Sequence, residues 1–344
     1  MKNFVFLVLL SSFLLSCKNN NKVENVTRAF YYWKSNSGYE EQNIEKLLLD
    51  TLKIEKLYVK FFEVESNDVM GNIPVSKSRF SLYDEAKYQI IPCVYLHNEV
   101  FLKSDFKQLD ALADNINFLI NKKIEENFSS QKVTPEIQMD CDWTLKTKDN
   151  YFYFLKKLKQ ISNRKLSCTL RLYPYKYTTK MGIPPVDSAM LMCYNLINPF
   201  EDKSKNSILD TNELEKYVKD VKQYPLHLDV ALPVYSWMQV YQNNHFSKVI
   251  YSDFQTVKSV LKPIKPLWFE VTKDTTTNDI YLRIGDKIKY EEISKMQINE
   301  AIRILKKYVS FDKTTTVSLF HLDQEQLKTY THEELTRFYT SFCN

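Results

Sequence analysis

The sequence predicts a parallel (β/α)8 TIM barrel of the α/β class, with a small α+β insertion between strands 7 and 8. Three observations predict it. Short runs rich in aromatic and β-branched residues recur about eight times along the chain. Amphipathic segments with apolar residues at helical spacing lie between them, the alternation that builds a parallel sheet with helices outside it. Glycine is also scarce, with only Gly38, Gly71, Gly182 and Gly285 present. The competing doubly wound sheet normally carries a Gly-rich first turn, and these four cannot supply one.

The N-terminus reads as a targeting segment. Met1-Lys2-Asn3 is a short cationic start, and Phe4 to Leu15 is apolar but too short to span a bilayer. Leu14-Leu15-Ser16-Cys17 resembles a bacterial lipobox. Residues 1–16 are therefore expected to be a lipoprotein signal peptide, with Cys17 lipidated. The polar, Asn-rich start of residues 17–27 suits a flexible tether, which leaves 28–344 as one barrel domain. Lys18 stands where an aspartate would resemble an inner-membrane retention signal. The expected location is the cell envelope, lipid-anchored, on the periplasmic side of the outer membrane.

The expected strands are Ala29 to Lys34, Lys56 to Val64, Gln89 to Leu96, the run Glu136 to Thr144, Leu166 to Tyr173, Ala189 to Leu196, His227 to Tyr235 and Thr315 to Leu322. Helical spacing marks Glu40 to Leu52, Phe106 to Ile124, Asn150 to Ile161 and Asn212 to Val221. The interval before the last strand holds Leu267 to Val271, Asp279 to Ile284 and a helix near Ile293 to Tyr308. The two strand-like runs flank Thr275 to Asp279 and read as a hairpin. This segment, approximately 245–310, is the expected insertion.

Composition excludes several functions. The net charge of +5 is not clustered, so nucleic acid is not implied. No Cys-x-x-Cys or His-x-x-x-His pair occurs, so neither a metal nor a cofactor is expected. Cys93, Cys141, Cys168 and Cys193 lie in candidate strands and read as small buried thiols. Sequence leaves the disulfide status of these four and Cys343 open.

The run Glu136-Ile137-Gln138-Met139-Asp140-Cys141-Asp142-Trp143-Thr144 carries the chemistry. Asp140 and Asp142 are two apart and share one face of a strand. Barrel sites are built from strand C-terminal ends. The polar and aromatic residues expected there are Trp33, Lys34, Lys60, Glu63, Asp140, Asp142, Arg171, Tyr194, Asn195, Tyr235, Trp237, His321 and Asp323. Rings, amides and carboxylates around one mouth suit a sugar, because ring faces pack on pyranose C–H surfaces and carboxylates take hydroxyls or protons. Each residue has a plainer reading. Asp140 and Asp142 could be structural carboxylates paired with Lys60 or Arg171. Trp33, Trp143 and Trp237 could be core aromatics. His321 could be an ordinary cavity histidine, and Glu270 is expected outside the cleft.

These residues resemble the chitinase-type barrel, glycoside hydrolase family 18 in the broad sense. Ile137, Asp140, Asp142 and Thr144 align with its fourth-strand D-x-x-D-x-D-x-E, with Trp143 in the aromatic position. Met192-Cys193-Tyr194-Asn195 is similar to the sixth-strand Met-x-Tyr-Asp, and Ala231 to Tyr235 to the seventh-strand Gly-x-Pro-x-Tyr. Phe320 to Asp323 resembles the eighth-strand Trp-x-x-Asp, and Leu172 to Leu196 resembles a group of Bacteroidetes-type lipoproteins of unassigned activity. The resemblance implies a glycan ligand and a substrate-assisted hydrolysis. It also exposes departures. The family's general acid position is Thr144, which has no proton to give near neutral pH. Its first aspartate is Ile137, and its sixth-strand aspartate is Asn195.

Two functions follow. One is a glycosidase whose acid has moved, with Asp140, Asp142, Glu63 and Tyr194 as the catalytic group and Asp229 or Asp323 as further acid candidates. The other is a non-catalytic glycan-binding barrel. In either, Trp33, Lys60, Trp143, Arg171, Asn195, Tyr235, Trp237, His321 and Asp323 hold the sugar. Carboxylates buried below the cleft and tied to Arg171 or Lys60 would favour structure or binding; a carboxyl pair about 5 to 9 Å apart across the mouth would favour hydrolysis.

Overall fold

A computed structural model of the chain describes residues 22–34, 46–75, 87–128, 135–200, 203–251, 254–277 and 280–343. In chain order, β1 (Asn25–Tyr32) and β2 (Lys56–Asn67) pair in parallel, and the short β3 (Gly71–Val75) folds back antiparallel on β2. Then come β4 (Gln89–Leu96), β5 (Glu136–Asp140), β6 (Lys165–Arg171), β7 (Ser188–Met192) and β8 (His227–Pro233). The chain leaves the barrel for β9 (Trp237–Gln242), β10 (His245–Ile250), β11 (Leu261–Lys265), β12 (Trp268–Val271), β13 (Thr275–Thr276), β14 (Tyr281–Leu282) and β15 (Lys287–Glu291). It returns as β16 (Thr314–Phe320), which lies parallel between β8 and β1 and closes an eight-stranded barrel. The predicted α/β barrel is the observed fold. Its strands are buried on both faces, as β7 is throughout, because one face meets the barrel interior and the other meets helices.

The helices follow their caps. Helices α1 (Asn98–Lys103) and α2 (Phe106–Asn127) follow β4. Asp105 opens α2 in a capping box with Gln108, and the stripe Leu109, Leu112, Ala113, Ile116, Ile120 and Ile124 is buried. Helix α3 (Lys148–Ser162) ends where Asn163 takes a left-handed φ of 52°. Two short helices, α4 (Leu172–Lys176) and α5 (Thr178–Met181), start directly at the end of β6. Next come α6 (Thr211–Val218), α7 (Gln255–Lys258) within the insertion, α8 (Lys295–Tyr308), α9 (Gln324–Leu327) and α10 (His332–Thr340). No described helix is long and apolar enough to cross a membrane.

Several expectations shift. The strand expected from Ala29 reaches back to Asn25, inside the stretch assigned to the tether. Backbone pairing of Asn25 with Thr314 carries these polar residues into the sheet. Cys17, the signal segment and the first part of the Glu40 to Leu52 helix lie outside the described residues, where only residues 46–51 are seen as helix. The insertion begins earlier than residue 245, at β9, only three residues after β8. It is a five-stranded sheet in the order β10-β9-β15-β12-β11, with a small core around Met238, Val240 and Ile288. β12 pairs with β11 and β15, not with Asp279 to Ile284 as the expected hairpin required. The sheet ends with β15 at Glu291, and α8 packs Ile298, Ala301, Ile302 and Leu305 into the main core. Its apolar stripe matches the barrel wall, which is why it belongs to the barrel. Cys93, Cys141, Cys168 and Cys193 are buried free thiols, and Cys343 is free and half-buried.

Candidate functional site

The barrel opens at the C-terminal ends of its strands into a cavity of about 540 Å³. Every barrel strand or the residues just past it contributes. β1 leads to Trp33, β2 carries Glu63 and β4 carries Tyr95. β5 ends at Asp140 and is followed by Asp142, and β6 ends at Arg171. Met192 closes β7, with Tyr194 and Asn195 beyond it. Tyr235 follows β8, while Trp237 and Tyr251 come from the insertion. Phe320, His321 and Asp323 complete the ring. Residues scattered over nearly 300 positions are thus gathered around one opening, as expected.

Most of the carboxylates are already spoken for. Arg171 donates to Asp142 through both arms of its fork, Nε to Oδ1 at 2.5 Å and Nη2 to Oδ2 at 2.9 Å. Its third arm, Nη1, donates to the Tyr194 carbonyl at 3.2 Å. Glu63 accepts from Lys60 Nζ at 2.6 Å. Asp323 caps α9 by accepting from the amides of Glu325 and Gln326, and pairs with Lys34 at 3.5 Å. Asp140 differs: its described partner is the Thr169 hydroxyl, which donates at 2.6 Å. Burial, then the charge of Asp142, pushes the Asp140 carboxyl up to about 6; the Thr169 hydrogen bond and Arg171 only partly offset this.

The rings form a continuous wall. Phe320 contacts Trp33, Tyr194 and Tyr235 with centroids 4.9–5.8 Å apart. Beneath it, Tyr31 stacks on Tyr58 and donates to Gln138 at 2.7 Å. Tyr235 donates to the Asn195 side chain at 2.6 Å, and Asn195 takes a left-handed φ of 52° that aims it at the opening. Trp237 donates its indole N–H to Glu291, which is wholly buried and also holds Ser207, Gln239 and Lys289. Burial raises the Tyr194 and Tyr235 hydroxyls far above the phenol range, so both are neutral donors. Burial lowers His321 to about 4, so it is a neutral imidazole at neutral pH, and its Nδ1 has no partner.

Some expected residues are elsewhere. Lys60 is buried beside the mouth and does not line it; its ammonium sits against Glu63 and 5.6 Å from the Trp33 ring. Trp143 packs on Tyr151 and faces away from the mouth, as its position one residue past Asp142 would place it even on a continued strand. Thr144 is also outside the mouth, its amide donating to Thr147 Oγ1 just before α3. Asp229 lies near the start of β8, at the opposite end of the barrel, where it accepts from the Thr316 amide. Glu270, on β12, does not line the mouth, as expected. Tyr95, Met192, Tyr251 and Phe320 line the mouth and were not among the expected site residues. Tyr95 and Phe320 lay inside strands already recognised, so counting ring-bearing residues at strand ends would have found them. Among the described residues, Glu63, Glu65 and His97 could offer three ligand atoms to a metal within 4.8 Å of one another. His97 Nε2 lies 3.5–3.6 Å from both carboxylates.

No family model matches the chain, and no curated protein matches it. Solved structures do. The spore cortex-lytic enzyme SleL of Bacillus cereus superposes with a TM-score of 0.54 at 14% identity, over 93% of this chain and 75% of that one. The C-terminal domain of a putative chitinase from Desulfitobacterium hafniense DCB-2 gives 0.54 at 11% identity, over 94% of this chain and 100% of that one. At such identities the likeness establishes a shared parallel β/α-barrel fold and no more.

Proposed function

We propose that this chain is a glycoside hydrolase-like lipoprotein that takes a glycan into the barrel mouth and cleaves it with Asp140 as proton donor. The observation that carries the reading is the contrast among the four lining carboxyls. Glu63, Asp142 and Asp323 are paired with cations, whereas Asp140 lines the same cavity with a carboxyl raised to about 6. Such a carboxyl still holds its proton close to neutrality, which a general acid requires. The surrounding rings offer faces to pyranose C–H groups, and Asn195, Tyr235 and His321 offer hydrogen bonds to hydroxyls. Glu63, whose Oε1 is held by Lys60, is the β2 carboxylate that would take a proton from the water attacking the sugar carbon while Asp140 protonates the leaving oxygen.

The family 18 pattern differs in chemistry from this mouth. Its acid position is Thr144, outside the mouth. Its acetamido-orienting aspartate corresponds to Asp142, whose oxygens are both taken by Arg171. A substrate-assisted route would first have to break that pair, so we infer a direct acid-assisted cleavage. The same ion pairs favour a second reading, a non-catalytic glycan-binding barrel in which charges are neutralised to hold hydroxyls. For either reading we propose lipidation at Cys17, holding the barrel on the periplasmic side of the outer membrane.

The test is release of reducing ends from peptidoglycan, chitin and host-type glycans, run beside direct binding. Release that Asp140→Asn abolishes supports hydrolysis. Binding without release selects the second reading. Neither binding nor release on the panel rejects both.

A further inference from the structure

A second cavity, of about 560 Å³, opens beside the mouth. It is lined by Trp143, Leu145, Tyr173, Pro174 and Met181, with Thr144 and Lys146 contributing polar atoms. Asp142 and Arg171 line both cavities, so their ion pair is the partition between them. Leu145 and Tyr173 stand 44% and 40% exposed and lie together on this cavity. Trp143 is the reverse: it is 4% exposed, yet its indole N–H has no hydrogen-bond partner.

We propose that this side cavity is a second sugar subsite, so that the ligand is an oligosaccharide lying across the Asp142–Arg171 pair. The inference rests on the glycan reading of the mouth and names the size class of its ligand. Chemistry favours a sugar over an acyl chain. An aromatic floor and wall suit a pyranose face, while the Arg171 guanidinium and Lys146 suit its hydroxyls. An acyl chain would leave those donors unsatisfied. Continuity favours the same ligand, because the two cavities meet at shared side chains with no intervening element. The arrangement also gives Arg171 a second role, since the guanidinium that Asp142 holds rigid presents edges to the sugars on both sides.

The test compares binding of monosaccharides with tetrasaccharides of β-linked N-acetylglucosamine, mannose and xylose, by calorimetry on the full chain. In the wild type at least one tetramer should bind about tenfold or more tightly than its monomer. In Tyr173→Ala that ratio should fall to roughly threefold or less. Tyr173 is exposed and outside the barrel core, and circular dichroism checks that the variant is folded. Leu145→Ala should lower the ratio in the same direction by less. Equal affinity of monomer and tetramer in the wild type, or a ratio that Tyr173→Ala leaves intact, overturns the subsite and leaves the mouth reading standing. Uptake of dodecanoate that Tyr173→Ala abolishes, with sugar ratios unmoved, overturns it in favour of an acyl pocket. Failure of all six sugars to bind overturns both readings together.

Discussion

Two aspartates occupy opposite ends of the same barrel and titrate in opposite directions. Asp140 ends β5 at the mouth, and Asp229 sits near the start of β8 at the base. Burial raises both. At the base, burial is outweighed by the hydrogen bond and charge of His227 and by the Thr316 amide, and Asp229 is held below its ordinary 3.8. At the mouth, the nearest charge is another carboxylate, and the Thr169 hydroxyl is too weak a partner, so Asp140 rises to about 6. The cation that could have relieved Asp140 is Arg171, and Asp142 has both arms of its fork. The difference shows that burial alone does not decide what a barrel carboxylate does. Partners make one end structural and leave the other with a proton to give.

The contrast can be broken from either side. The largest effect is expected in activity: Asp140→Asn should lower reducing-end release by about 10²-fold or more, the usual worth of a positioned acid. Asp229→Asn should leave release per folded molecule within about twofold yet cost roughly 3 kcal/mol in urea unfolding, since it strips a buried partner from His227.

Stability against pH should separate the two further. Asp140 is raised in the folded state, so its ionisation opposes folding. The penalty is absent below about pH 4, grows as pH rises through about 6, and is constant above. Asp140→Asn should therefore gain up to about 3 kcal/mol at pH 8 and nothing at pH 4, read as paired unfolding curves. His227 is raised from 6.5 to about 8, chiefly by its Asp229 hydrogen bond. Its contribution is complete below pH 6.5 and fades as pH rises through about 8. Asp229, depressed, contributes above its ordinary 3.8 and loses that contribution as acid protonates it in the folded state. In His227→Gln the stability lost relative to wild type should shrink between pH 6.5 and 9.

The smallest effect on the folded barrel is expected from Cys17→Ser. It should shift the protein from the membrane to the soluble fraction and leave glycan binding by the barrel unchanged. Membrane fractionation of the variant like that of the wild type would reject the anchor.

Much of this was legible in the sequence. The order of the eight strands and the convergence of Trp33, Glu63, Asp140, Asp142, Arg171, Tyr194, Tyr235 and His321 follow from strand ends sharing one rim. What was hidden depends on each residue's place along its strand. Trp143 was expected at the mouth from its place in the motif, but it stands one residue out of step with Asp140 and Asp142 and faces the side cavity. Asp229 was weighed as an acid by residue type, but it lies early in β8 and so faces the other end. Tyr251 reaches the mouth from an inserted sheet whose strands β9 and β10 carry little sequence contrast with the barrel. Helix α8 showed its apolar period plainly, but period does not say which body it covers.

The direct measurement is a pH titration of the aspartate side-chain carboxyls by carbon-13 NMR, with Asp140→Asn and Asp229→Asn used to assign the two signals. The account predicts a midpoint near 6 for Asp140 and one below 3.8 for Asp229. Two midpoints together in the ordinary aspartate range would contradict it.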